Sequence, residues 1–218
     1  MALTLLSHPF ASYCQKVLIA LYENGIPFTH EVIEGDAGFA RLATLWPPRQ
    51  FPVLLDGSRT IAESTTIIEY LDVHHPGATR WLPDDRAAAI DVRFMDRVFD
   101  HHVQTPMQAI VGDALRPPER RDPTGVADAR AQLDTIYAWL EQRLSGRPWA
   151  CGGTFTLADC AGGPALFYAD WVRRIEPARH PTLHAYRERL KARPAFARVI
   201  DEARRYRPYF PLGAPDRD

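Results

Sequence analysis

The sequence predicts a small α/β domain over residues 1–77 followed by an all-α domain over residues 86–218. Three observations carry that prediction. Strand-like and helix-like patterns alternate through the first of these stretches. Asp56-Gly57 separates two apolar runs there, the strongest two-residue hairpin signal a sequence offers. From Arg86 onward strand signals vanish and apolar residues recur at helical spacing.

Residues 2–6 are short and apolar, and Pro9 breaks the run. Tyr13, Val17, Ala20, Leu21 and Asn24 then come at helical spacing until Gly25-Ile26-Pro27 ends them. Phe28 to Ile33 alternates as a second strand, and Gly35 to Leu45 reads as a helix closed by Trp46-Pro47-Pro48. Phe51 to Leu55 and Ser58 to Ile61 form the hairpin arms, and Ile67, Ile68 and Leu71 mark the next helix. The resulting order is βαβαββα. A helix between the first two strands favours a parallel pair joined by a right-handed crossover.

His74-His75-Pro76-Gly77 closes this domain, and residues 81–85 read as a linker ending in a helix cap. Beyond it, helical periodicity appears through Ile90, Phe94, Arg97 and Val98, and again through Leu133, Ile136, Tyr137, Leu140 and Leu144. Further helices are expected at about 156–172, 182–192 and 195–205, separated by Pro181 and Pro194.

The 218 residues carry 26 basic and 27 acidic side chains, a formal charge of -1, which provides no summed field to attract nucleic acid or an anionic membrane. Small neutral or zwitterionic partners are expected. The N-terminal stretch has no secretory pattern and no run reaches the length of a membrane helix, so a cytoplasmic protein is expected. Cys14, Cys151 and Cys160 are odd in number and lack CxxC spacing, which argues for free thiols rather than disulfides or a zinc site. The histidine pairs at 74–75 and 101–102 have no Cys, Asp or Glu at ligand spacing, so no metal is expected.

Four motifs in their order and spacing resemble the cytosolic glutathione S-transferases of serine type, bacterial or zeta-like. They are Ser7 to Leu21 (SHPFASYCQKVLIAL), Gln50-Phe51-Pro52-Val53-Leu54, Glu63-Ser64, and Thr156-Leu157-Ala158-Asp159. The resemblance spans nearly the whole chain. It implies a thioredoxin-like glutathione-binding domain over 1–77 and a helical domain over 86–218 that contributes a pocket for an electrophile.

The resemblance also implies a set of ligand contacts. A cis bond between Phe51 and Pro52 would leave the Phe51 backbone facing glutathione, whereas the proline by itself reads as the start of an edge strand. Ser64, where the helix of residues 65–71 begins, would present its hydroxyl and free N–H groups to the γ-glutamyl carboxylate; on the residues alone it reads as an N-cap serine. Glu63 would balance the ligand's ammonium group, and Gln50 matches a glutathione-contacting glutamine of zeta-like members. Thr156 and Asp159 form a capping motif with a structural role.

The catalytic position is read from Ala11-Ser12-Tyr13-Cys14. Ala11 stands where a CxxC enzyme places its nucleophile, which disfavours disulfide chemistry and a cysteine mechanism, and Cys14 reads as core. Ser12 is the candidate to donate a hydrogen bond to the glutathione sulfur, although zeta-like sequences align their usual serine with Ala11. Ser7 and Tyr13 are the reserves, with Tyr13 expected along the helix face. Phe10, His101, Met107, Tyr168 and Trp171 are the expected lining for a small hydrophobic electrophile. The implied activity is conjugation to glutathione as co-substrate, in detoxification. A zeta-like cis-trans isomerase and a non-catalytic carrier of glutathione or apolar ligands are the alternatives. A homodimer is expected from the family.

Overall fold

The structure of the chain, a computed structural model, describes residues 3–218. Strand β1 (Leu3–Ser7) leads into α1 (Ser12–Glu23), β2 (Phe28–Val32) and α2 (Gly35–Leu45). The hairpin β3 (Val53–Asp56) and β4 (Arg59–Ala62) comes next, then α3 (Ser64–His74). The four strands form one sheet in the order β2-β1-β3-β4, with β1 parallel to β2 and antiparallel to β3. This is the thioredoxin-like arrangement.

The parallel pair arises because α1 crosses over between β1 and β2, packing its apolar face on the sheet. Val17, Leu18, Ala20 and Leu21 are withdrawn from solvent together with Leu5, Leu54, Ile67, Ile68 and Leu71. On the other face Leu6, Ile33, Leu42 and Val53 make a smaller cluster with α2. The hairpin turn falls one residue later than the sequence pattern suggests. Gly57 and Ser58 are its central residues, because Gly57 takes the positive φ of +59° that the turn requires and Asp56 remains paired with Arg59 in the ladder.

The connection to the helical part is pinned by side chains. Asn24 bonds both backbone groups of Thr79, and Asp72 Oδ1 accepts from the Trp81 N–H at 3.1 Å. His74 and His75 close the α/β part at the end of α3, where His75 Nε2 meets Asp56 at 2.8 Å.

The helical part comprises α4 (Arg86–Arg97), α5 (Thr105–Ala114), α6 (Pro123–Arg143), α7 (Leu157–Val172), α8 (Pro181–Lys191) and α9 (Pro194–Ala203). A π-helical segment, Val98–Gln104, joins α4 to α5, and a 3-10 segment, Arg204–Tyr209, succeeds α9. Helix α7 is buried from Leu157 to Asp170. Gly162 and Gly163 permit that burial, since a Cβ on Gly162 would lie 3.0 Å from Tyr186 Oη and one on Gly163 3.2 Å from Phe196. Its N-terminus carries the expected capping box: Asp159 Oδ2 accepts from the Thr156 N–H at 2.9 Å. The same carboxylate also accepts from the Ala150 N–H and from Tyr186 Oη, both at 2.8 Å.

Candidate active site

A cavity of about 1230 Å³ opens along the seam between the α/β part and the helical part. Ser12, Gln50, Phe51, Glu63 and Ser64 all line it. They reach it from three elements that are distant in sequence. The tip of α1 supplies Ser12, the segment before β3 supplies Gln50 and Phe51, and the β4–α3 junction supplies Glu63 and Ser64.

The Phe51-Pro52 peptide bond is cis, so the chain turns sharply as it enters β3 with Phe51 at the cavity wall. At the next junction Glu63 has φ +68°, a left-handed conformation uncommon for a non-glycine residue. That backbone makes Glu63 the residue flanking the helix and Ser64 its first helical residue, a change from the N-cap role the sequence suggests for the serine. No side chain caps α3, and the first intrahelical bond runs from the Ile67 N–H to the Glu63 carbonyl. The preceding N–H groups have no intrahelical partner. Ser64 is buried, 6% exposed, and its hydroxyl makes no hydrogen bond to the described residues.

Helix α1 is arranged alike. Ala11 flanks it without a side-chain cap, and Ser12 is its first residue. Two helix N-termini thus border one cavity, each carrying partial positive charge and unpaired donors. Ser12 is buried and its Oγ accepts a hydrogen bond from Gln104 Nε2 on the π-helical segment.

The alternatives to Ser12 separate by environment. Ser7 is fully buried, bonded to His30 Nε2 at 2.7 Å, and lies outside the cavity lining. Cys14 is fully buried, and desolvation pushes its thiol up to about 12, which disfavours the thiolate at neutral pH. Tyr13 lines the cavity instead of lying along the helix face, and its hydroxyl donates to the Asp100 carbonyl at 3.4 Å. Burial first, and the Asp100 charge second, push that phenol up to about 12.

Of the expected electrophile contacts, Phe10, His101, Met107 and Tyr168 line the cavity. Trp171 stands one layer back, its ring 6.2 Å from Phe10 and 5.1 Å from Tyr168. Sequence reasoning missed Gln104, Val111 and Leu115 on the α4–α5 wall and Tyr209 to Pro211 beyond the last 3-10 segment. Helical spacing could have found Val111, four residues after Met107; nothing local marks the tail.

Beside the cavity a charge network ties α1, α3 and α4 together. Lys16 Nζ lies 2.5 Å from Asp96 Oδ1, 2.9 Å from Asp100 Oδ2 and 2.9 Å from Thr65 Oγ1. Arg97 closes the cluster against Asp96 at 2.6 Å and also reaches Thr65. Burial raises the Asp100 carboxyl while Lys16 opposes it. Among the described residues no group of three or more His, Cys, Asp or Glu is placed to hold a metal ion, and no helix is long and apolar enough to cross a membrane.

Known proteins match this architecture over most of the chain. Residues 5–79 match the model of the glutathione S-transferase N-terminal domain and residues 123–189 that of its C-terminal domain. A probable glutathione S-transferase of Oryza sativa subsp. japonica is 28% identical over 87% of this chain and 84% of its own. A probable maleylacetoacetate isomerase of Vibrio cholerae is 27% identical over 93% of this chain and 97% of its own. The crystal structure of a glutathione S-transferase from Methylobacterium radiotolerans, in complex with glutathione sulfonate, superposes with a TM-score of 0.78 at 28% identity, covering 92% of this chain and 95% of that one. With both domain models matched in order and the thioredoxin-like and helical parts in place around the cavity, the chain belongs to the glutathione S-transferase family.

Proposed function

We propose that the protein is a glutathione transferase in which residues 1–77 bind glutathione and residues 86–218 complete the pocket for a small hydrophobic electrophile. The observation that carries this reading is the convergence of two uncapped helix tips, Ser12 at one and Ser64 at the other, on one cavity beside the cis Phe51-Pro52 bond. Ser64 and the first N–H groups of α3 take the γ-glutamyl carboxylate. Glu63, exposed at the rim, balances the ammonium group, and Gln50 with the Phe51 backbone holds the peptide portion. The sulfur then sits by Ser12.

The chemistry asked of the protein is modest. A thiol of pKa about 8.5 is only ~3% ionised at pH 7, and lowering that value by about two units needs ~2.7 kcal/mol of preferential thiolate stabilisation. One hydrogen bond from Ser12 to the charged sulfur, ~1.5–3 kcal/mol, together with the α1 terminus, ~0.3–1 kcal/mol, supplies it. The thiol proton leaves to water, the thiolate attacks carbon, and the leaving group departs or the adduct is protonated. Holding the electrophile against Phe10, Met107 and Tyr168 contributes the rest through orientation. Conjugation of a chromogenic aryl halide, present in the wild type and reduced in Ser12→Ala but not in Cys14→Ala, tests this; the opposite pattern overturns it.

A zeta-like isomerase, which adds and then expels glutathione across a double bond, is the second reading. Gln50 at the cavity wall and the near-complete alignment with the Vibrio cholerae protein favour it. Turnover of maleylacetoacetate decides between them. A carrier without chemistry would bind glutathione and conjugate nothing across an electrophile panel. A cytoplasmic homodimer serving detoxification is the setting we infer; the exposed Phe94 and Trp139, whose rings meet edge to face at 6.1 Å, border an apolar hollow suited to a second copy.

A further inference from the structure

Gln104 is 1% exposed and lies 92 residues from Ser12 along the chain, yet its Nε2 donates to the Ser12 hydroxyl oxygen. Its other amide atom, Oε1, is buried with no hydrogen-bond partner among the described residues. A buried amide is ordinarily satisfied at both ends, and one left half-satisfied at a reactive hydroxyl is kept at a cost. The backbone that delivers it is also unusual. Gln104 is the last residue of the π-helical segment, where the Thr105 N–H bonds the Asp100 carbonyl five residues back. π-Helical turns are rare and cluster at functional sites. The same Asp100 carbonyl accepts from Tyr13 Oη at 3.4 Å and from Thr105 Oγ1 at 3.1 Å, so the widened turn is latched to α1 one residue from Ser12.

A serine hydroxyl has one proton to donate and two lone pairs to accept with. We propose that Gln104 is a positioning residue for the transferase reaction: by occupying a lone pair of Ser12 Oγ it turns the hydroxyl proton away from the protein and toward the glutathione sulfur. This rests on the proposed role of Ser12 as donor to that sulfur. A hydrogen bond accepted at Oγ also polarises the O–H, strengthening the bond it donates to a thiolate. Were the amide reversed, with Oε1 on Ser12, the hydroxyl would donate to Gln104 and be lost to the sulfur, so the two orientations predict opposite effects of removing the amide.

The test is the ionisation of glutathione bound at saturation, measured by the ultraviolet absorbance of its thiolate against pH. It uses the wild type, Gln104→Met, Ser12→Ala and the double variant. Gln104→Met, close in volume and without an N–H, is expected to raise the thiol pKa by about half to one unit, a roughly three- to tenfold fall in its ionisation constant. In the Ser12→Ala background the same change is expected to add nothing, because its route to the sulfur is gone. A shift that persists undiminished in the double variant, an unchanged pKa, or a lowered one in Gln104→Met overturns the proposal while leaving Ser12 in place. An unchanged pKa in Ser12→Ala instead overturns the reading of Ser12, and the positioning role falls with it. Should Gln104→Met not fold, Gln104→Leu carries the same comparison.

Discussion

Lys16 Nζ on α1 lies 2.5 Å from Asp96 Oδ1 on α4, and the two side chains are 1% and 0% exposed. This ion pair joins the α/β part to the helical part at the wall of the cavity, with Asp100 and Thr65 sharing the ammonium. Removing the lysine strands two buried carboxylates. Lys16→Met is expected to destabilise the fold by about 3–5 kcal/mol, measured by urea denaturation. A loss under about 1 kcal/mol would mean that water or Arg97 replaces the lysine.

Ser64 and the tip of α3 are read as the carboxylate site, so their loss should fall on binding. Ser64→Ala is expected to raise the KM for glutathione roughly tenfold, the worth of a charge-assisted hydrogen bond, with kcat nearly unchanged. A steady-state titration of glutathione at saturating electrophile checks this. A change confined to kcat would place Ser64 at the reacting sulfur instead.

Asp159 has a structural task with four donors in its reach: the Thr156 N–H and hydroxyl, the Ala150 N–H and Tyr186 Oη. Asp159→Ala removes a helix cap and strands buried donors, for a combined cost of about 3 kcal/mol or more. Chemical denaturation at lower denaturant, with unchanged glutathione affinity in the surviving folded fraction, is the expected result.

Burial lowers His30 and His8 below their ordinary value of 6.5, with Glu202 and Glu34 respectively opposing that shift. In each case the unfolded chain takes up a proton that the folded protein refuses. Their contribution to stability is therefore present above pH 6.5 and is lost as pH falls from 6.5 through the lowered folded values. Melting temperatures measured between pH 7.5 and 5 should decline toward the acid end, and the decline should be shallower in His30→Gln than in the wild type.

Cys14 is fully buried with its thiol pushed up to about 12. The native protein at pH 8 should leave it unmodified by a thiol-titrating reagent, and it should react once the chain is unfolded. Rapid labelling of Cys14 in the folded state would show that the α1 tip opens.

Much of this protein is written locally. The Gly25-Ile26-Pro27 stop, the Asp56-Gly57 turn and the Thr156-x-x-Asp159 box act through neighbours a few residues away, and each marks an element boundary in the sequence to within a residue or so. The order of strands and helices came from them, and the motifs at 50–54 and 63–64 named two edges of the cavity. Two of the sequence's errors were of direction. Tyr13 and Trp171 sit on the helices expected of them, but packing turned the first into the cavity and kept the second behind Phe10 and Tyr168.

The approach of Gln104 to Ser12, the burial of Lys16 between Asp96 and Asp100, and the placing of Tyr209 to Pro211 at the cavity belong to the packed molecule alone. Each joins groups separated by 80 residues or more, or by the whole helical part. Periodicity assigns a residue to a face, but a hydrogen bond is made or lost within an ångström, and distances of that order are set by the close packing of α1 against α7 and the π-helical turn. Local residue patterns dictated the elements and the side chains they carry; the polar atoms that meet at the tip of α1 were brought together when those elements packed.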